Sequence, residues 1–504
     1  MRLALIFNPF SYKVHEENLR IVQKYFGMFP PLSLAWVAAI ARQAGHTVTL
    51  IDARTLNLSK HEVLDRVSLF RPDILGFMMT TYMFPETLQW IRFLKHRLRV
   101  PVVIGGYNLR VYPRESISHE EIDYGVIEQA LETLPRLLQE LESGRRAFDQ
   151  VPGLAYKENG QIRLTPVKPV AFEDFPFPAR DLLPNELYAE FPTERKNFTV
   201  MVTSLGCPYR CKFCEAGGTA YNPRSPQRVV DEMQECYTTH GVREIDIFDY
   251  DFTVDKARVI AICREIRRRK LDILWACRSR VDVDYELLEE MRAAGCGRIY
   301  IGIESGVQEV LDIVGKEITL ARIRQTVDGA KKLGIRTLGF FLIGAPGETA
   351  HTVRETVRFA KQLDLDYVQF SKCLAKPLTP LWRMMVQDTG QDYWRDWILG
   401  KETDRLLPRP WTSLSNEEID RLTKQAYLSY YARPAFVWRS LLKIGSWAEL
   451  KRKIKAFLDM LFRQELHSKH DNRFTAYHEP VSPHKSDSCS ARKDQQPYGK
   501  TVSP

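Results

Sequence analysis

Cys207-Pro-Tyr-Arg-Cys211-Lys-Phe-Cys214 follows closely on the β-type run Phe198-Thr-Val-Met-Val-Thr-Ser204. Its three cysteines have a C-x3-C-x2-C spacing, and thiolates are soft ligands suited to iron–sulfur clusters. Four-iron clusters usually take four cysteines, so three in one short loop leave one iron open for another ligand. Zinc is the alternative, but it needs a fourth ligand, and its usual paired C-x2-C spacing is absent. The loop therefore indicates chemistry rather than scaffolding.

An aromatic residue, Phe213, stands just before the third cysteine, and with it the loop resembles that of the radical S-adenosylmethionine (SAM) enzymes. The resemblance implies that Cys207, Cys211 and Cys214 hold a 4Fe–4S cluster whose open iron chelates the amino and carboxylate groups of SAM. It also implies that an electron from the cluster cleaves SAM to a 5′-deoxyadenosyl radical. An electron donor such as flavodoxin or ferredoxin is then a partner, and Phe213 is a candidate contact in the cofactor site.

The composition is that of an ordinary globular protein, with 504 residues, 44% of them hydrophobic and 27% charged. This length allows two or three domains. The sequence has no uncharged apolar run of about 18 residues, so no membrane-spanning helix is expected. The six cysteines outside the loop are scattered singly, which is typical of a reducing compartment and predicts a cytoplasmic protein. The net charge of +9 is modest, and no nucleic-acid partner is expected.

The first 145 residues alternate short apolar runs with amphipathic stretches, which predicts a Rossmann-like, doubly wound parallel sheet. The predicted strands are Leu3–Phe7, Thr47–Ile51, Asp73–Met78 and Pro101–Gly105, and the predicted helices are Leu32–Ala44, Lys60–Phe70, Glu86–Arg97 and Thr133–Leu141.

A ligand of such a sheet binds beyond the carboxyl ends of its strands. Thr80 and Thr81 offer hydroxyls at that edge, and Gly105 and Gly106 let backbone come close to a bulky ligand. The glycines could equally serve as turn formers. No G-x-G-x-x-G is present, so a dinucleotide is not expected.

The order of features resembles the cobalamin-binding domain that precedes the radical core in one large group of SAM enzymes. The matching stretches are Pro30-Pro-Leu-Ser-Leu34, Ala44-Gly-His-Thr-Val48 and Val102-Val-Ile-Gly-Gly106. The chain lacks a D-x-H-x-x-G motif, which implies a cobalamin bound without a histidine ligand. It also has Glu128-Gln-Ala-Leu131 where the group usually shows a G-E-G-E-like loop, so cobalamin contacts are not carried over to that loop.

Residues 146–195 are predicted to form a linker. This segment contains a hairpin-like turn at Tyr156–Gly160 and the proline-rich stretch Phe175–Pro184, which makes a stiff bridge. From 196 to 400 strands and helices alternate again, and six βα units predict a partial (β/α)6 barrel with catalytic groups at the carboxyl ends of its strands. Its predicted strands are Val200–Ser204, Glu244–Phe248, Ile273–Ala276, Arg298–Gly302, Thr337–Ile343 and Tyr367–Ser371.

Polar residues follow the second and third of these strands. Asp249 and Asp251 suit the ammonium of an amino-acid-like ligand, although a helix N-terminal cap would explain the same run. Arg278 could pair with the carboxylate of such a ligand, or with Asp249 or Glu304 as part of the scaffold.

The fourth strand ends in Glu304-Ser305, a carboxylate beside a hydroxyl that could grip a ribose diol. The fifth ends in the rigid turn Gly344-Ala-Pro346-Gly-Glu348, whose exposed backbone could pair with an adenine edge. Each motif is weak alone, but in this order they resemble the SAM-binding motifs of the radical core.

Residues 401–466 are predicted to be a helical region, and residues 467–504 a disordered tail. Leu450, Ile454, Phe457, Leu458 and Leu461 recur at helical spacing with basic residues between them. Such a helix could contact an anionic membrane surface peripherally, but packing against the barrel with a solvated basic face is the favoured alternative.

The combined patterns are typical of a cobalamin-dependent radical SAM enzyme that methylates an unactivated carbon of a small-molecule substrate through a 5′-deoxyadenosyl radical and methylcobalamin. One alternative is an oxidative cyclase or ring-rearranging enzyme acting on a tetrapyrrole-like substrate, similar to the anaerobic magnesium-protoporphyrin ester cyclase. An alternative of another class is a non-catalytic cobalamin-binding sensor. The three expected cofactors are a 4Fe–4S cluster, SAM and cobalamin.

Overall fold

Two largely parallel sheets organise the chain in the computed structural model, which describes residues 1–10, 27–191, 193–401, 407–434 and 436–438. The first eight strands are β1 (Arg2–Phe7), β2 (Gly27–Met28), β3 (Thr47–Asp52), β4 (Ile74–Met78), β5 (Val102–Gly105), β6 (Tyr124–Val126), β7 (Leu154–Glu158) and β8 (Gln161–Leu164). The N-terminal sheet has the order β3-β1-β4-β5-β6-β7-β8. The predicted α/β fold class and the four predicted N-terminal strands are confirmed.

Helices cover both faces of this sheet, as its strand sequences require. Leu3 and Leu5 of β1 pack in one buried cluster and Ala4 and Ile6 in another, so the strand is apolar on both sides. The N-terminal helices are α1 (Leu32–Gln43), α2 (Lys60–Phe70), α3 (Phe84–Leu98), α4 (Tyr107–Val111), α5 (Pro113–Ile117) and α6 (Ala130–Ser143).

The β7–β8 hairpin differs from the sequence prediction. Its turn lies where the Tyr156–Gly160 pattern indicates, but β7 pairs antiparallel with β6, so the hairpin extends the N-terminal sheet instead of standing in a free linker. The reason is that β7 carries buried Leu154, Ala155 and Tyr156, which pack into the sheet's core.

The second sheet holds six parallel strands in the order β10-β13-β14-β15-β16-β17, the predicted partial barrel. Its strands and the small pairings around them are β9 (Ala189–Glu190), β10 (Phe198–Met201), β11 (Ser204–Leu205), β12 (Asn222–Pro223), β13 (Glu244–Ile247), β14 (Leu274–Ser279), β15 (Cys296–Glu304), β16 (Arg336–Ile343) and β17 (Tyr367–Lys372). The barrel helices are α7 (Pro226–Thr239), α8 (Lys256–Arg268), α9 (Tyr285–Ala293), α10 (Gln308–Ile313), α11 (Leu320–Lys332) and α12 (Ala350–Leu363).

Helix caps fix where the barrel helices begin. Ser225, Asp255, Asp284, Thr319 and Thr349 each accept a backbone N–H from the third residue of the helix that follows. Side chains that alternate along the strands then either face these helices or face the barrel lumen. Ala276, Tyr300 and Leu338 form a separate buried cluster in the lumen. Tyr300 and Leu338 are partners in the strand register, and Ala276 is paired with Arg298, two residues before Tyr300.

The amino end of the lumen is filled by Glu190, which lies near the end of the predicted linker. It accepts a hydrogen bond from Tyr300 Oη at 2.8 Å and lies 3.4 Å from Arg298, which also pairs with Glu244 at 3.3 Å. Glu190, Arg298 and Tyr300 are at most 4% exposed. Burial raises the pKa of Glu190 to about 8. The same segment pairs with the N-terminal part of the chain, since β9 is antiparallel to β2.

The C-terminal helices pack onto the barrel and the N-terminal domain. They are α13 (Pro380–Thr389), α14 (Tyr393–Ile398) and α15 (Asn416–Tyr431). Tyr427 and Tyr430 of α15 are buried core residues. None of the helices that the structure describes is long and apolar enough to cross a membrane. The predicted amphipathic helix around Leu450–Leu461 and the tail from His467 lie outside the described residues.

Candidate active site

The three cysteines lie on a folded loop at the carboxyl end of β10. Gly206 has a φ of +76°, and a Cβ there would stand 2.0 Å from the Ala220 carbonyl oxygen, so only glycine lets the chain turn at this point. The β11–β12 pair closes the base of the loop. Inside it, the Cys214 N–H donates to the Cys211 carbonyl at 3.1 Å and the Gly217 N–H to the Cys214 carbonyl at 3.1 Å.

Cys207 and Cys211 are each 8% exposed, and Cys214 is half-buried. Burial raises the pKa of all three thiols, that of Cys214 to about 11. In the described ranges no three His, Cys, Asp or Glu side chains are already arranged to hold a metal ion, so the cluster assignment stays a prediction. The donor set fits a thiolate-bound cluster, because three thiols share one short, buried loop beside two cations.

Arg280 is the first of these cations, and the sequence analysis did not select it. Its Nη1 lies 3.7 Å from the Cys211 Sγ, and its Cζ stacks 3.8 Å from the centre of the Tyr209 ring. Nη2 donates to the Lys316 carbonyl at 2.5 Å and Nε to Asp282 at 3.0 Å. One guanidinium thus contacts both the cysteine loop and the chain after α10.

Lys316 is the second cation, and the sequence analysis missed it too. Its Nζ donates to Glu304 Oε1 at 2.8 Å, and both side chains are less than a tenth exposed. Burial alone would lower the pKa of Lys316, but Glu304 and Cys211 outweigh burial and raise it above its usual value. A Cβ on Gly302 would stand 2.7 Å from this Nζ, so the glycine makes room for the pair. The only sequence signal was a Gly-Lys step after a short helix.

Asp249 and Asp251 already have partners within the protein. Asp249 accepts the Thr203 N–H at 2.6 Å, the Thr203 hydroxyl at 2.5 Å and the Ser204 hydroxyl at 2.7 Å. Asp251 accepts the N–H and hydroxyl of Thr253. Burial raises the pKa of both carboxyls. These contacts tie the ends of β10 and β13 together, and the helix cap itself is supplied by Asp255, not by Asp251.

Ser305 and the Gly344–Glu348 turn are likewise engaged locally. Ser305 Oγ lies 3.1 Å from Thr356 Oγ1 and accepts the Val307 N–H. The N–H groups of Gly344 and Ala345 donate to Glu348, and the Gly344 carbonyl accepts from Trp411. Gly344 and Pro346 are buried, so the expectation of an exposed turn backbone is wrong at these atoms. Any SAM contact by these positions stays a prediction.

Arg278 lies in the barrel lumen, where its side chain is 20% exposed. Its partner is Asp246 at 3.0 Å, a residue that the sequence analysis did not name, and its Cζ stands 3.6 Å from the centre of the Phe248 ring. The predicted scaffold partners Asp249 and Glu304 are therefore wrong. The reason is register, since Asp246 and Ala276 pair across β13 and β14 and place Arg278 one layer above the aspartate.

A cavity of about 200 Å³ opens at the carboxyl edge of the N-terminal sheet. Its lining is mostly apolar and includes Gly105, Gly106 and the Glu128–Ala130 loop that departs from the family pattern. Trp36 Nε1 and Gln129 Oε1 are buried, line this cavity and have no hydrogen-bond partner among the residues that the structure describes. An apolar slot with one unpaired donor and one unpaired acceptor fits the heteroaromatic and amide groups of a cobalamin.

The two threonines at this edge differ. Thr81 is buried, and its hydroxyl donates to Asn108 at 3.0 Å, so it supports the loop. Thr80 is half-buried at the sheet edge. Gly106 has a φ of +115°, and a Cβ there would stand 2.6 Å from the Met79 carbonyl oxygen.

The cysteine loop lies near the edge of the cavity. Leu205, two residues before Cys207, lines the cavity, and Phe213 packs against a hydrophobic cluster with members from both sheets. Tyr107, directly after Gly106, donates to the Pro377 carbonyl at 3.4 Å. Its pKa is raised by burial and by the nearby Glu215 and Cys214, so its phenol lies close to the cysteine loop.

Two family profiles match the chain: that of the radical SAM superfamily at residues 201–360 and that of the B12 binding domain at residues 20–138. The chain is 32% identical to a methyltransferase of Pyrococcus horikoshii, itself uncharacterised, over 86% of this chain and 94% of that protein. It is 29% identical to an anaerobic magnesium-protoporphyrin IX monomethyl ester cyclase of Rubrivivax gelatinosus, over 71% of this chain and 66% of that protein.

Among solved structures, the fold is similar to that of TsrM, a radical SAM methyltransferase from Kitasatospora setae with cobalamin and a 4Fe–4S cluster bound. The TM-score is 0.61 at 22% identity, and the match covers 77% of this chain and 75% of that chain. This likeness extends over both sheets, so the two proteins share the same order of domains, a Rossmann-like domain followed by a partial barrel.

Proposed function

The chain belongs to the radical SAM enzymes that carry a B12-binding domain, and from this membership we propose that it transfers a methyl group to an unactivated carbon of a small-molecule substrate. The relative that supports methyl transfer is the Pyrococcus horikoshii methyltransferase, because the identity extends over 94% of its length.

One observation carries the proposal. The carboxyl ends of both sheets lie close together, because Leu205 beside the cysteine loop lines the cavity and Tyr107 after β5 lies near Cys214, so a substrate space between them would border both. A substrate in that space would be within reach of both cofactor sites. Catalytic groups of barrels and ligands of doubly wound sheets both lie at carboxyl strand ends, so this edge-to-edge arrangement suits a reaction that uses two cofactors.

The residues divide between three tasks in this proposal. Cys207, Cys211 and Cys214 would hold the cluster, and the Glu304–Lys316 pair, with Phe213 beside it, would border SAM. The cavity lined by Trp36, Gly105, Gly106 and Gln129 would hold cobalamin. When bound, these groups supply a carbon-centred radical and a transferable methyl group. The protein orients them, and its buried lumen excludes water.

The substrate pocket would lie above Arg278 in the lumen. The strand register places Gly302, Phe340 and Gln369 in one layer above Tyr300, and the Lys316–Glu304 pair borders this layer at the glycine. Asp246 holds Arg278 in place, so the guanidinium presents its remaining N–H groups to the lumen. We propose that this layer contacts the substrate.

The electron donor and location complete the proposal. A low-potential protein such as flavodoxin or ferredoxin would supply electrons, and the eight described cysteines, none of them disulfide-bonded, support a cytoplasmic enzyme.

Methyl-labelled SAM tests the reaction. The full chain, reconstituted anaerobically with iron, sulfide and cobalamin, is incubated with the small-molecule extract of the source cells. Label entering a low-molecular-weight product supports methyl transfer. The cyclase alternative, favoured by the Rubrivivax gelatinosus relative, predicts 5′-deoxyadenosine formation with no transferred label. The matched control replaces Cys207, Cys211 and Cys214 by alanine, and label transfer by that variant would contradict the cluster assignment.

A further inference from the structure

Arg280 stands between the cysteine loop and the rest of the barrel with every nitrogen in use. Its side chain is 7% exposed. Nε donates to Asp282, Nη2 to the Lys316 carbonyl and Nη1 to the Cys211 sulfur. The fork is planar and rigid, and Tyr209 stacks on it, so its N–H bonds have fixed directions. One of them points at the Cys211 sulfur.

The two cations near the cysteines are balanced differently. Lys316 is paired at 2.8 Å with Glu304, and both are buried, so the pair presents almost no net charge. The carboxylate partner of Arg280 is Asp282, whose side chain is 47% exposed. Water screens that half of the pair, while the guanidinium itself is buried against the thiol. Both cations act on the Cys211 thiol, and Arg280 also donates a hydrogen bond to its sulfur.

We propose that Arg280 is a positioning residue that raises the reduction potential of the cluster held by Cys207, Cys211 and Cys214. Hydrogen bonds to cluster sulfurs and the local charge set such potentials, and a buried N–H bond to sulfur favours the more negative, reduced state. The step is one electron passing from a low-potential donor protein to the cluster, with no bond broken and no proton moved. This inference rests on the proposed function, because it assumes the cluster.

The test is an anaerobic redox titration of the full chain, followed by the electron paramagnetic resonance signal of the reduced cluster. For Arg280→Gln we expect the ratio of reduced to oxidised cluster at a fixed potential to fall about tenfold, which is about 59 mV for one electron. Arg280→Lys, which keeps the charge, should recover most of this loss. Asp282→Asn removes only the screened carboxylate and should leave the ratio close to that of the unmodified chain.

The matched control is Arg267→Gln, which deletes an exposed arginine paired with Glu290 near the C-terminal end of α8. It should titrate like the unmodified chain. A fully assembled Arg280→Gln cluster at the unmodified potential would overturn the inference. If Arg280→Gln fails to assemble a cluster, Arg280→Lys decides, and a ratio about tenfold below that of the unmodified chain there overturns the inference equally. Absence of iron and sulfide from the unmodified chain would instead refute the proposed function.

Discussion

Two glycines show how single residues shape the site. Gly106 has backbone angles that other residues rarely adopt, and it lies against Met79 at the edge of the cavity. Gly302 has ordinary angles, but a side chain there would enter the space of Lys316 and Glu304. Each glycine is needed for a different reason, the first for conformation and contact, the second for volume.

Replacing Gly106 by alanine should destabilise the fold and weaken corrinoid binding. The new Cβ would stand 2.6 Å from the Met79 carbonyl oxygen, and the positive φ is itself strained, so we expect a loss of about 2–4 kcal/mol in the free energy of unfolding. Chemical denaturation measures the loss, and absorbance of the repurified chain measures bound corrinoid. Gly144→Ala is the control, since its φ of +70° carries the strain but its Cβ would meet nothing within 4 Å. Equal losses in both variants would contradict this account.

Residue-scale features were predictable where the signal is local. The cysteine spacing is contained in one loop, and Glu304 ends one strand. The structure places Glu304 beside Lys316, one of the two cations near the cysteine loop. Lys316 and Asp246 escaped the sequence analysis because their roles depend on pairing across 12 and 32 positions. No periodicity encodes such a pairing.

At the scale of elements, the turn between β16 and α12 is held by hydrogen bonds among its own residues. Glu348 Oε2 accepts two backbone N–H groups of its own turn, and its Oε1 is buried without a partner in the described chain. Burial raises the pKa of Glu348 to about 8. The neutral carboxyl is therefore the form that the folded turn favours.

The pH dependence of stability should reflect this carboxyl. Because its folded pKa is above the ordinary 4.5, the folded chain holds a proton that the unfolded chain releases first. Its contribution is complete below about pH 4.5 and is lost as the pH rises through 8, with a slope of at most about 1.4 kcal/mol per pH unit. Glu348→Gln mimics the neutral form and should flatten the profile between pH 5 and 8, measured by chemical denaturation. An exposed control, Glu289→Gln on α9, should leave it unchanged. If the free energy of unfolding of Glu348→Gln falls equally steeply with pH, the slope belongs to other groups, and Glu190 is the first candidate.

Elements themselves were predictable from alternation, whereas their membership in sheets was less so. The four predicted strands of the N-terminal sheet and the six of the barrel follow apolar runs, and the structure confirms them, whereas β6 was not predicted. The β7–β8 hairpin has the correct turn signal but an unpredicted neighbour, because joining β6 is decided by burial of Leu154 and Tyr156 rather than by the hairpin sequence.

At the scale of the whole molecule, one hydrophobic cluster joins the two sheets. It includes Phe84 and Trp90 of the N-terminal helices, Val310 of the barrel and Trp394 of α14. Trp394 is fully buried, and its indole N–H donates to the Ala375 carbonyl at 2.6 Å. Shared packing of this kind couples the folding of both halves.

Truncating Trp394 to alanine should destabilise both halves together. A cavity of this size costs about 3–5 kcal/mol, and the freed carbonyl adds to the loss. Denaturation followed separately by far-ultraviolet circular dichroism and by cluster absorbance should give coincident, shifted transitions. Trp438→Ala, at a site 65% exposed, is the matched control and should have little effect. Two separated transitions in the unmodified chain would show that the halves fold independently.

Because residues fill the amino end of the barrel, its lumen is closed at that end. Glu190, Arg298 and Tyr300 form its floor, and Glu304 at its mouth is four residues further along the same strand. At about 3.3 Å per residue, the lumen is about 13 Å deep, and this depth limits the length of a ligand that could enter it. A substrate would therefore enter, and a product leave, at the carboxyl end of the strands, beside the cysteine loop.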